Sequence, residues 1–163
     1  MKNKKGFTLI ELLGVIAIIG LLATLSVVAL NNARLKSRDA KRVSDIKQIQ
    51  TALELYFVDA NAYPYSAAAV VLGGANGKVL CSTATAGVGF RADATGCLTT
   101  YMGQVPAAPT PPTNGAYTYT SLTAGAGATY SLVFGLEGAT GGLTCTTYGL
   151  TCCTATPNGI TCT

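Results

Sequence analysis

Residues 4–30 read KKGFTLIELLGVIAIIGLLATLSVVAL. From Phe7 to Leu30 this is an apolar run that, as a helix, extends ~36 Å, enough to cross the ~30 Å hydrocarbon core of a bilayer with some tilt. Glu11 is out of character there. A carboxylate inside an apolar span costs ~2.5–3.5 kcal/mol on insertion scales and is normally found facing a partner. A plain membrane anchor leaves Glu11 unexplained. A secretory signal peptide fits no better, because its apolar stretch runs only ~7–15 residues and ends in a small-residue cleavage site. The sequence VVALNNA at 27–33 is a poor one.

Outside this run the chain is weakly charged. Its 163 residues suit one modest domain with an appendage. Only 11% are charged, and neither His nor Trp occurs. Beyond Asp59 the only charges are Lys78, Arg91, Asp93 and Glu137. A distal region so poor in charge is not kept unfolded by self-repulsion. The net charge of +4 is a weak pointer to nucleic acid, since Lys2, Lys4 and Lys5 precede the apolar run. The basic cluster Arg34–Arg42 has no interleaved aromatics, which favours a solvated helix face, or contact with lipid headgroups and a neighbouring subunit, over DNA.

Six cysteines in so short a chain point to an oxidising compartment. A zinc site without His would need four thiolates at spacings such as C-x-x-C. Cys81, Cys97, Cys145, Cys152, Cys153 and Cys162 show none, so disulfides are expected and no metal. Topology is contested. Arg34, Lys36, Arg38, Lys41 and Arg42 outnumber the three leading Lys, which by charge alone puts the distal side in the cytoplasm. The cysteines put it outside, and they prevail because Asp39 and Asp45 dilute the basic residues. With sparse acids, no His and no Gly-Lys-Ser/Thr phosphate loop, neither catalysis nor a cofactor is expected.

KKGFTLIELLGVIAIIGLLA resembles the N-terminus of type IV pilins and of the pseudopilins of type II secretion systems. The shared features are a short basic leader, Gly6, Phe7, Glu11 five positions after the Gly, and the apolar run. The resemblance implies that a membrane-embedded prepilin peptidase cuts between Gly6 and Phe7 at the cytoplasmic face and that the new Phe7 amine is N-methylated. Loss of three Lys would take the side-chain charge from +4 to +1. In a filament, Glu11 would meet the Phe7 ammonium of a neighbour within a bundle of apolar helices. There an opposite charge in low dielectric offsets the carboxylate's desolvation and fixes register. Implied partners are further copies of the chain in a helical homopolymer, the peptidase, an inner-membrane assembly platform and a separate assembly ATPase. The implied location is the bacterial cytoplasmic membrane with the N-terminus cytoplasmic, then an extracellular filament. Departures from the family are Gly14 where Val is common and Val28 where Pro is often found.

The helix is expected to continue to Ala60. No Pro occurs before Pro64, and Val43, Ile46, Ile49, Leu53, Phe57 and Ala60 recur at helical spacing. Lys41–Asp45 and Arg42–Asp45 are favourable pairs on its polar side. Asn61 and Pro64 are the stop. SRDAKRVSDIKQIQTALELYFVDANAYPYS (37–66) strengthens the resemblance, through Arg38, Asp39, Arg42, Asp45, Ile49, Gln50, Ala52, Leu53, Tyr56, Asp59, Asn61, Tyr63 and Pro64.

SAAAVVLGGANGKVL (66–80) reads as a short helix or turn with GGANG as a loop, and VPAAPTPPTNG (105–115) as an extended connector. GAYTYTSL and ATYSLVFGLEG read as strands around the turn TAGAGA. Tyr117 and Tyr119, or apolar members of 130–136, are expected on the helix face of Ile46 to Phe57. If Tyr148-Gly149 closes a hairpin, Cys145 faces Cys152. If Pro157-Asn158 closes the next, Cys153 faces Cys162, and Cys81 and Cys97 remain. Adjacent Cys152 and Cys153 are expected on opposite strand faces.

The expected class is α+β, the pilin fold that the resemblance implies: a long N-terminal helix, membrane-spanning in its first half, packed on a small antiparallel C-terminal sheet. Its segments are a leader (1–6), a membrane and filament-core helix (7–30), its amphipathic continuation (31–61), a variable loop region with the connector (62–114), and the sheet with a Cys-rich end (115–163). The expected function is a structural subunit of a type IV pilus or pilus-like filament. The alternative is the major pseudopilin of a type II secretion system. A DNA-binding minor pilin ranks last, with only Lys78 and Arg91 to offer in the head.

Overall fold

The computed structural model describes residues 6–84, 89–110, 115–121, 129–145 and 149–163, the side chains of 149–151 excepted. Helix α1 runs from Leu9 to Ala60 without a break through Gly14, Gly20 or Val28. It starts two residues after Phe7 because Thr8 caps it. It stops where Asn61 adopts a left-handed φ of 51°, with the Asn61 amide still donating to the Phe57 carbonyl at 2.7 Å. Asn tolerates that conformation better than most residues, and Pro64 prevents a restart.

The chain forms two compact units divided after Leu35. In the first, every described residue from Gly6 to Arg34 is exposed. An 18-residue window of α1 has a mean hydropathy of 2.7 and buries nothing.

The second unit, here the head, contains the rest of α1 and two antiparallel sheets. Strands β1 (Ser66–Val71), β5 (Thr118–Ser121), β6 (Ser131–Leu136), β7 (Gly149–Thr156) and β8 (Gly159–Cys162) form one in that order. Strands β3 (Phe90–Arg91), β2 (Val79–Ser82) and β4 (Thr99–Met102) form the other. Ile46, Ile49, Leu53 and Tyr56 of α1 share a core with Tyr117, Tyr119, Tyr130, Leu132, Phe134 and Leu136. Each such side chain contributes about 1.5–3 kcal/mol on burial. The Tyr63 ring lies 4.7 Å from those of Phe57 and Tyr130. The Tyr119 hydroxyl donates to the Pro64 carbonyl at 2.6 Å, tying the post-helix turn to β5. Burial pushes the Tyr130 phenol up to about 12.

Residues 66–71 are a strand, not the short helix or turn expected from their alanines. Val70 pairs with Tyr119 and Val71 with Thr118, and this ladder overrides local preference. The GGANG loop follows. Gly73 has φ +70°, and a Cβ there would lie 2.6 Å from Ala107, so the connector packs directly on its backbone. The Val105 amide donates to the Lys78 carbonyl at 2.7 Å. The expected turn TAGAGA (123–128) lies outside the described residues, but the strands it joins pair antiparallel, with Tyr119 opposite Leu132.

Disulfides link Cys81 to Cys97, Cys145 to Cys152 and Cys153 to Cys162. Cys153 and Cys162 sit opposite each other on β7 and β8. Two details differ from the hairpin reading. Cys145 lies in no strand, and Tyr148 is outside the described residues. Nor do Cys152 and Cys153 diverge. Both are buried and their sulfurs lie 3.8 Å apart. The β6–β7 register shifts beside them, between Phe134 and Leu136, and such an irregularity interrupts strict alternation.

Candidate assembly site

Gly6, Phe7 and Thr8 precede α1 without regular structure and are exposed. The Gly6–Phe7 bond is therefore presented as accessible, non-helical backbone. Residues 1–5 lie outside the described residues. Thr8 and Glu11 form a reciprocal cap. The Glu11 Oε2 accepts from the Thr8 amide at 2.8 Å and from its hydroxyl at 2.7 Å. The Thr8 Oγ1 in turn accepts from the Glu11 amide at 3.4 Å. This Thr-x-x-Glu arrangement satisfies orphan amides of the first turn. Glu11 is thus not a bare carboxylate within the chain, in contrast to the expectation from sequence. Its side chain is folded back toward the N-terminal end of the helix, where the Phe7 nitrogen lies. Around it Leu9, Ile10, Leu12 and Leu13 are all exposed, an apolar surface left uncovered among the described residues.

A second cluster sits in the head, where α1 meets the loop after β6. Asp39, Arg42 and Asp45 are buried. Arg42 Nη1 donates to Asp39 Oδ1 at 2.6 Å and to Glu137 Oε1 at 2.7 Å. Its Nη2 donates to the Pro109 carbonyl at 3.1 Å. Arg38 Nε donates to Glu137 Oε1 at 2.8 Å, and its Nη2 pairs with Oε2. The Asp39 carboxylate also accepts from the Glu137 amide at 3.0 Å and the Gly138 amide at 2.8 Å. The hydrogen bond from Arg38, then burial and the bond from Arg42, act on Glu137 with a net lowering of its pKa. The Tyr117 hydroxyl donates to Asp45 at 3.1 Å. Burial nevertheless raises the Asp45 pKa, against Tyr117 and the nearby Lys41.

The expectation of a solvated basic face over Arg34–Arg42 is therefore corrected for two of its members. Arg38 and Arg42 clamp Glu137, while Arg34, Lys36 and Lys41 remain exposed. The signal available in the sequence was Glu137 itself, the lone acid in an apolar strand end, which had to find a cation. Its partners lie almost a hundred positions earlier, beyond the reach of periodicity arguments.

A family model described as the prokaryotic N-terminal methylation motif matches residues 1–27. The type II secretion system core protein G of Aeromonas hydrophila is 43% identical over 63 residues, 39% of this chain and 44% of that protein. The type IV wide pilus major component of Thermus thermophilus is 41% identical over 71 residues, 44% of this chain and 54% of that protein. Over its N-terminal part the chain is therefore similar to type II secretion core protein G and to a type IV pilus component. A further relative, the core protein G of Escherichia coli, is 44% identical over 62 residues, 38% of this chain and 43% of that protein. The chain thus matches less than half the length of the secretion-system relatives. No solved structure matches it significantly.

Proposed function

We propose that the chain is a structural subunit of a type IV pilus or pilus-like extracellular filament, polymerising through α1 after its leader is removed. The observation that carries this is an 18-residue window of α1 with a mean hydropathy of 2.7 and no burial, in an apolar run from Phe7 to Leu30 whose only charge is Glu11. Such a surface needs lipid before assembly and other copies afterwards. Cleavage between Gly6 and Phe7 by a prepilin peptidase creates an ammonium, N-methylated at Phe7, close to the side of the helix to which Glu11 is already turned. In the filament Glu11 exchanges its Thr8 contacts for the Phe7 ammonium of a neighbour. The subunit starts in the bacterial cytoplasmic membrane with its N-terminus cytoplasmic. An assembly platform and a separate ATPase drive its extraction. The subunit itself performs no catalysis.

The test is Glu11→Ala. Membrane insertion should be retained and surface fibres lost, scored by electron microscopy of sheared material and mass spectrometry of its subunit. Normal fibres from this variant would sink the proposal.

The second reading, a major pseudopilin of a type II secretion system, is favoured by the similarity to core protein G. Against it, the Glu137 carboxylate is taken up by Arg38 and Arg42. Major pseudopilins often hold calcium in a C-terminal loop, and calcium wants several carboxylates. Glu137 is the last acid of the sequence. A head whose unfolding midpoint rises with calcium would reverse the preference. DNA uptake has the least support, because Asp93 lies within electrostatic reach of both Lys78 and Arg91.

A further inference from the structure

The two C-terminal disulfides lie side by side, with three of their four sulfurs gathered in one group. The Cys145 and Cys152 sulfurs each lie 3.8 Å from that of Cys153. All three lie within 4.8 Å of one another. Cys162 is bonded to Cys153, so its sulfur adjoins this group of three without being part of it. Cys145, Cys152 and Cys153 are buried, while Cys162 is partly exposed on β8, at the edge of its sheet. The Leu136 amide donates to the Cys152 sulfur at 3.3 Å.

A tetrahedral ion with metal–sulfur bonds of ~2.3 Å sets its sulfurs ~3.8 Å apart. Backbone amides donating to sulfur are the outer-shell contact that steadies a thiolate ligand. The sequence spacings exclude a C-x-x-C zinc motif, but here the fold brings together what spacing does not: a loop residue, two adjacent residues of β7 and one of β8.

We propose that the head has a second chemical state, in which reduced Cys145, Cys152, Cys153 and Cys162 bind one thiophilic metal ion, of which Zn2+ is the model case. The metal and the disulfides use the same sulfurs and exclude each other. Reducing the two bonds takes four electrons and four protons, supplied by two equivalents of a dithiol that are oxidised to its disulfide. The ion then displaces the thiol protons. Reoxidation of the thiolates by a disulfide oxidant releases it. Cys81 and Cys97 lie outside the cluster and serve as an internal control.

The experiment uses the full chain in detergent, reduced with a phosphine and titrated with Co2+, then Zn2+. The expected result is one Co2+ per chain with the ligand-field bands of a tetrahedral tetrathiolate, displaced by Zn2+. Alkylation followed by peptide mapping should show Cys145, Cys152, Cys153 and Cys162 protected by Zn2+ and Cys81 and Cys97 modified. Cys81→Ser with Cys97→Ser should keep the bands, and Cys153→Ser should lose them. Equal alkylation of all six thiols with and without Zn2+ would overturn the proposal. So would bands that survive Cys153→Ser, or a reduced head that circular dichroism finds unfolded and that Zn2+ does not refold.

Discussion

Residues 7–33 contain one charge, Glu11, and bury nothing, whereas the head buries Asp39, Arg42 and Asp45 although charged residues are rare in it. In a self-contained soluble domain the apolar stretch would be inside and the ions outside. The difference separates two meanings of hydrophobicity. In the N-terminal unit it marks a surface that the described residues leave uncovered. In the head, where Thr, Ala and Gly offer little bulk, a few long-range ion pairs and aromatic contacts hold α1 to the sheet.

The largest expected effect comes from breaking the buried ions. Arg42→Ala leaves Asp39 buried with only amide donors and removes one of the two Arg clamps from Glu137. Deleting one member of such a network costs about 3–5 kcal/mol, which denaturant unfolding of the head measures. Arg38→Ala, at a guanidinium whose side chain is 25% exposed, should cost much less. Equal losses would show that the cluster acts as one surface pair rather than a buried core.

A pH titration sharpens the same point. Hydrogen bonds from Arg38 first, and then Arg42, hold Glu137 below its ordinary 4.5. Its contribution to stability is therefore complete above pH 4.5 and lost as pH falls through the lower, folded value. Asp45 has the opposite sign, because burial raises its pKa above 3.8, so acid relieves rather than weakens it. The thermal midpoint of the head should drop below pH 4.5. Glu137→Gln should lower the midpoint at pH 7 and flatten the acid limb. An unchanged acid limb in that variant would assign the pH dependence to other carboxylates.

This is also where the reading of the sequence was weakest. The helix was legible to its end, because apolar spacing, Asn61 and Pro64 all act within a few residues. Strands β5 and β6 were legible from alternating Tyr, Val, Phe and Leu. The β7–β8 hairpin, with Cys153 opposite Cys162, could be read from Pro157-Asn158-Gly159. Strand β1 was not, since Ala67, Ala68 and Ala69 carry no strand signal and acquire it only by pairing beside β5. The Arg42–Glu137 contact was not, since nothing local marks which of several helix cations turns inward. At the N-terminus the Thr-x-x-Glu cap was present in the letters. The apolar run around it hides the cap, because a lone acid among so many apolar residues reads first as a charge in oil.

That cap yields a smaller test on the N-terminal side of the comparison. Thr8→Val keeps shape and deletes the hydroxyl that bonds Glu11. Loss of a cap costs typically about 1 kcal/mol. In detergent-solubilised subunit, the amides that open with the first turn of α1 should exchange roughly fivefold faster, while those of the head stay unchanged. Unaltered exchange at the first turn would mean that the surrounding detergent, and not Thr8, holds it.

The smallest effect is expected at Gly20, and its sign is opposite. A Cβ there would meet nothing within 4 Å, and the backbone is helical on both sides. Gly20→Ala should therefore stabilise α1 in the isolated subunit by about 0.5–1 kcal/mol, since Gly loses more freedom than Ala on entering a helix. Slower exchange of the amides around position 20 is the readout. The same substitution separates the two units in a way the larger ones do not. The open space at Gly20 exists only while no second chain lies against it. If fibres of the Gly20→Ala variant form normally, the glycine is a free position even in the polymer. If the subunit is stabilised but fibres fail, the space seen around Gly20 is where a neighbouring helix makes its close approach.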